Sequence, residues 1–77
     1  MEINILAFGQ IAEITGKQSW KISGVKNTDE LKRKLEEEFP GFQKINYSIA
    51  VNKIVIQENT ELNPGDVAAL LPPFSGG

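Results

Sequence analysis

The sequence predicts an α+β fold in which one helix packs on one face of a four- to five-stranded sheet. Three observations carry this. Five short segments, Glu2–Phe8, Ser19–Ser23, Tyr47–Val51, Ile54–Ile56 and Val67–Leu71, alternate in polarity or run apolar over the length of a strand. Only one stretch, Asn27–Phe39, carries apolar residues at helical spacing. Their order, two strands, a helix, then three strands, is met most economically by two layers around one core. The whole of 1–77 reads as a single domain, with 72–77 as a protruding tail.

In the first segment Ile3, Ile5 and Ala7 share one face, which should meet the core, while Leu6 and Phe8 fall on the opposite one. Gly9 to Lys17 reads as a long connection, and Ser19–Ser23 alternates again, so the two strands form a hairpin with an extended loop. In the helix Asn27 and Glu30 have capping-box spacing, and Asp29 and Glu30 suit the positive N-terminal dipole. Leu31, Leu35 and Phe39 form its apolar stripe, expected against Ile3, Ile5, Ile22, Ile49, Val51, Ala68 and Leu70. Glu30–Lys34 and Lys32–Glu36 are i,i+4 pairs on what reads as a solvated face, and Pro40-Gly41 ends the helix. Asn52-Lys53 turns the third strand into the fourth. Asn63-Pro64-Gly65-Asp66 has Pro and Gly where a type II turn wants them. Trp20 and Tyr47 read as core or core-edge residues, and Lys44 and Lys53 as solvated.

Val67–Leu71 is apolar throughout, the pattern of a strand covered on both faces. One helix can cover only one of them. Leu6, Phe8, Val55 and Leu71 therefore form a candidate interface for a partner, against the alternative of scattered surface apolar residues.

There are no Cys and no His, which removes disulfides, the usual zinc and iron sites, and nucleophilic or base catalysis by those side chains. A net charge of −2 and the lack of any basic run argue against nucleic acid as a partner. No apolar stretch approaches the ~20 residues of a membrane span. Met1-Glu2-Ile3-Asn4 has no signal-peptide character, so a cytoplasmic protein is expected.

The sequence closes on Pro72-Pro73-Phe74-Ser75-Gly76-Gly77. The prolines cannot continue a helix and mark where the folded body stops. Two glycines without Cβ make the thinnest peptide end, able to thread a narrow channel into a partner's active site. The reading beside it is an ordinary flexible terminus.

With strand order and tail together, the chain resembles the MoaD-like sulfur carriers, the small subunits of molybdopterin synthase. Phe8-Gly9-Gln10, Glu13, Gly16, Val51-Asn52, Gly65-Asp66 and Ala69 fit that pattern singly, and Pro72 to Gly77 fits its closing signature. Phe74, Val67 and Ala12 depart from it, where an aliphatic residue, a charged residue and an arginine are usual. The resemblance implies a ubiquitin-like β-grasp fold with a mixed sheet, its first and last strands adjacent. It implies no cofactor bound by this chain and no catalysis on its own. An E1-like adenylating enzyme with ATP and Mg²⁺ would activate the Gly77 carboxyl, and a persulfide donor would convert it to a thiocarboxylate. The large subunit of molybdopterin synthase would then receive the tail, Phe74, Ser75 and Gly76 entering its active site and Leu6, Phe8, Val55, Leu71 and Pro73 lining the interface. A carrier for thiamine or another thiolated product, a ubiquitin-like protein modifier, and a plain binding module remain alternatives.

Overall fold

The computed structural model describes residues 2–72. Five strands, β1 (Glu2–Ala7), β2 (Ser19–Ser23), β3 (Ser48–Val51), β4 (Ile54–Ile56) and β5 (Val67–Leu71), form one sheet in the order β2-β1-β5-β3-β4. The first and last strands are the parallel central pair, with Ile5 opposite Ala68. Every other pairing is antiparallel. The mixed sheet and its order are those of the β-grasp fold.

A helix crosses one face of this sheet. Here it is α2 (Thr28–Glu38), α1 being a short helix at Gln10–Thr15. The expected stripe is in place, Leu31 and Leu35 at 0% exposure against Ile3, Ile5, Ile22, Ile49, Val51, Ala68 and Leu70, all buried. Phe39 is only half-buried at the helix end, where it begins an edge-to-face aromatic series. Its ring centroid lies 6.0 Å from those of Trp20 and Phe42, and Phe42 lies 5.0 Å from Tyr47. Trp20 and Tyr47 are thus core-edge residues, as expected.

Two expectations are corrected. The connection Gly9–Lys17 contains α1, which buries Ile11 and Thr15 and ends on Gly16 in the left-handed region (φ 73°). Six residues are too few for a periodicity to show. A Cβ placed on Gly41 would fall 3.0 Å from Ile14 Cγ2, so α1 packs tightly on the 3-10 turn at Pro40–Lys44. Secondly, Glu30 and Lys34 are both taken by main chain. The Glu30 carboxylate accepts the Lys26 N–H at 2.8 Å, and Lys34 Nζ donates to the Ser23 carbonyl at 3.0 Å.

The long loop after β4 is stitched to the start of α2. Thr28 Oγ1, almost fully buried, accepts the Thr60 N–H at 2.9 Å, and the Thr28 N–H is returned to the Thr60 carbonyl at 2.9 Å. This anchor lets Leu62 and Val25 close the bottom of the core. Among the described residues no helix is long and apolar enough to cross a membrane, and no group of His, Cys, Asp and Glu could hold a metal ion.

Candidate functional site

Because β1 and β5 are parallel, both end at the same edge of the sheet. Beyond β1 stands Phe8, a large apolar side chain 48% exposed, followed by Gly9. Beyond β5 stands Pro72. The two ends touch: a Cβ on Gly9 would lie 3.4 Å from Pro72 Cγ. The chain therefore leaves the fold beside Phe8. Pro73, Phe74, Ser75, Gly76 and Gly77 lie outside the described residues.

Among the described residues, no element lies on the sheet face opposite α2. Strand alternation and register place Leu6, Ala69, Ala50 and Val55 in one row across it, on β1, β5, β3 and β4. Leu71 stands in the next row, opposite Ser48. Leu6 and Leu71 are half-buried, and Val55 is 53% exposed. The structure thus brings Leu6, Val55 and Leu71 onto one face and sets Phe8 at its tail-bearing edge. Ala50 and Ala69, not singled out from the sequence, make the centre of the face flat. Counting alternate residues along β3 and β5 would have found them. A shallow depression lined by Leu6, Phe8, Gly9, Ala12 and Gln18 adjoins the exit of the chain.

The opposite end of the same face is polar, with Glu2, Asn4 and Lys21. There Asn52 and Asp66 form a clip. Asn52 Nδ2 donates to Asp66 Oδ1 at 3.0 Å, and Asn52 Oδ1 accepts the Val67 N–H at 2.9 Å. The Asn63 N–H donates to Asp66 Oδ2 at 2.8 Å. That backbone bond first, and the Asn52 bond second, hold the Asp66 carboxyl below its usual value, against a small opposing effect of burial. Gly65, at φ 85°, supplies the left-handed turn residue. So Val51-Asn52 and Gly65-Asp66, which carried part of the family resemblance, fix where β5 starts and hence where its far end delivers the tail. They are positioning residues, at the opposite end of β5 from Pro72.

Comparison with known proteins agrees with this geometry. The profile of the ThiS family matches residues 5–77. The molybdopterin synthase sulfur carrier subunit of Homo sapiens is 32% identical over 83 aligned positions, which span 99% of this chain and 94% of that protein. Subunit 1 and 2 of the molybdopterin-converting factor of Helicobacter pylori have been solved as a complex. A chain of that structure aligns with 31% identity and a TM-score of 0.74, over 100% of this chain and 100% of its own length. A putative molybdopterin converting factor subunit 1 from Pyrococcus furiosus shares the fold, with a TM-score of 0.85 at 20% identity over 96% of this chain and 99% of that one. With a profile match over nearly its whole length, and solved relatives that share its fold, this chain belongs to the ThiS family, in its ubiquitin-like β-grasp fold.

Proposed function

We propose that this chain is the sulfur carrier subunit of a molybdopterin synthase, with the carboxyl of Gly77 as its reactive group. The carrying observation is that the family match runs through Gly77, on a body that delivers its last strand beside an uncovered apolar face. An α-carboxyl has a pKa near ~3.5, so at neutral pH it is an unreactive carboxylate. An E1-like enzyme using ATP and Mg²⁺ makes the acyl-adenylate, releasing pyrophosphate. The terminal sulfur of a persulfide then attacks the acyl carbon and expels AMP. A second thiol cleaves the S–S bond of the resulting acyl persulfide, leaving a thiocarboxylate while that thiol and the donor's sulfur become a disulfide. Docked on the large subunit, the tail presents this sulfur to cyclic pyranopterin monophosphate. The carrier contributes sulfur and a docking surface, and the partner contributes the catalytic side chains.

The test is intact mass after incubation with the adenylating enzyme, ATP, Mg²⁺, a persulfide donor and a thiol reductant. The wild-type chain should exchange one C-terminal oxygen for sulfur. Deleting Gly77 withdraws the carboxyl by about 3.3–3.6 Å. Positioned chemistry loses about a hundredfold for a 1 Å error, so sulfur transfer should vanish while the thermal midpoint stays put. Sulfur transfer that survives the deletion would rule the mechanism out. Isopeptide adducts on other proteins without a free thiocarboxylate would identify a protein modifier instead.

A further inference from the structure

The two free edges of the sheet are unlike. Along β2 the edge carries exposed Lys17 and Lys21, the charges that keep an edge from pairing with another chain. Within β4 itself no residue is charged, the charges standing only at its ends: Ile54 is 68% exposed, Val55 53%, and Ile56 half-buried.

The hairpin register says what the β4 edge offers. Asn52 and Lys53, both at positive φ (49° and 74°), make a two-residue turn closed by the pair Val51–Ile54. In such a hairpin the closing pair exchanges hydrogen bonds and the next pair, Ala50–Val55, does not. The Val55 N–H and C=O therefore point away from β3, toward the free edge. A second strand meets both groups if it also centres a hydrogen-bonded pair there.

We propose that β4 is a self-pairing edge at which a second copy of this chain docks antiparallel, Val55 opposite Val55, about a two-fold axis. The pairing is isologous, so each copy satisfies the outward N–H and C=O of the other. The charge order fits this direction. Lys53 precedes the strand and Glu58 follows it, both exposed, so antiparallel docking sets each lysine end beside the other copy's glutamate end. A parallel arrangement would place like charges together. Since β4 runs in the direction of β5, the two-fold points the C-terminal ends of the two β5 strands in opposite directions. A three-residue strand buries little area, which places the association in the weak, transient class.

Sedimentation equilibrium of the full chain tests this. A reversible monomer–dimer equilibrium is expected, with Kd on the order of 0.1–1 mM. Ile54→Lys should weaken it at least about tenfold with unchanged circular dichroism and thermal midpoint, a charge on an edge strand being a barrier to pairing. Lys53→Glu should weaken it also, and the double change Lys53→Glu/Glu58→Lys should restore it. A wild-type chain that stays monomeric up to about 1 mM, a dimer indifferent to Ile54→Lys, or a double variant no better than the single one would each overturn the proposal.

Discussion

Gly9 holds φ 55° and ψ −129°, a combination that side-chain-bearing residues rarely adopt, at the corner where Phe8 leaves β1 and Pro72 packs alongside. The 3.4 Å from a built Cβ to Pro72 Cγ is contact and not a clash, so backbone angle decides the cost. Gly9→Ala should lose about 1–3 kcal/mol, read from urea unfolding. Tyr47 is the residue with a pH signature. Its phenol is pushed up to about 12, by burial first and by the charge of Glu36 second. The folded value exceeds the ~10 of an unfolded chain, so folding favours the neutral phenol. That contribution is whole below pH ~10 and is lost as pH rises from ~10 through the folded value. Tyr47→Phe should therefore flatten the alkaline fall in stability, followed by thermal unfolding between neutral pH and the alkaline limb. Because the buried hydroxyl has no hydrogen-bond partner among the described residues, the change should cost under about 1 kcal/mol at pH 7.

The main helix is specified at three points that act together. Asn27 Oδ1 accepts the Glu30 N–H at 2.9 Å, satisfying one of the donors that a helix start leaves over. Glu30 reaches back to the Lys26 N–H, one residue earlier than a capping box proper. Leu31 and Leu35 then face the sheet with no exposure. Leu35→Ala empties a site enclosed by the sheet on one side and α2 on the other. It should cost roughly 2–5 kcal/mol in denaturant unfolding, and a loss under ~0.5 kcal/mol would contradict the packing.

Across the whole molecule, the parallel pairing of β1 with β5 decides the polarity of the surface. It gathers Leu6, Phe8 and Leu71 at the edge where the chain leaves the fold, and Glu2, Asn4 and Asp66 at the other. Leu71 lies on the face opposite α2, so Leu71→Glu should leave the isolated chain folded. On the proposed function, it should weaken binding to a large subunit at least about tenfold, some 1.4 kcal/mol or more, since a charge without a partner is costly to desolvate. Calorimetric titration against that subunit, beside a thermal melt of the variant alone, separates the two effects. Collapse of the fold with unchanged binding would reverse the assignment of the face.

By itself the sequence determined the five strands, the main helix, its cap and stripe, the type II turn and the part of the core that lies between the helix and the sheet, because each of these rests on local periodicity and turn chemistry. Alternation marked Leu6, Val55 and Leu71 as apolar residues off the core face of their strands, and the strand register set them on one common face. Tertiary structure decided the rest. Which strands are neighbours depends on long-range pairing: Ile5 beside Ala68 spans most of the chain and leaves no trace in spacing. The helix α1 draws its stability from burying Ile11 in the core, too short to declare itself beforehand. Val25, Phe42 and Leu62 reach the core through the loop anchor at Thr28 and the 3-10 turn, where no repeat guides the eye. The contact of Gly9 with Pro72, which sets where the tail departs, exists only once residues at the two ends of the sequence are brought together by the central strands.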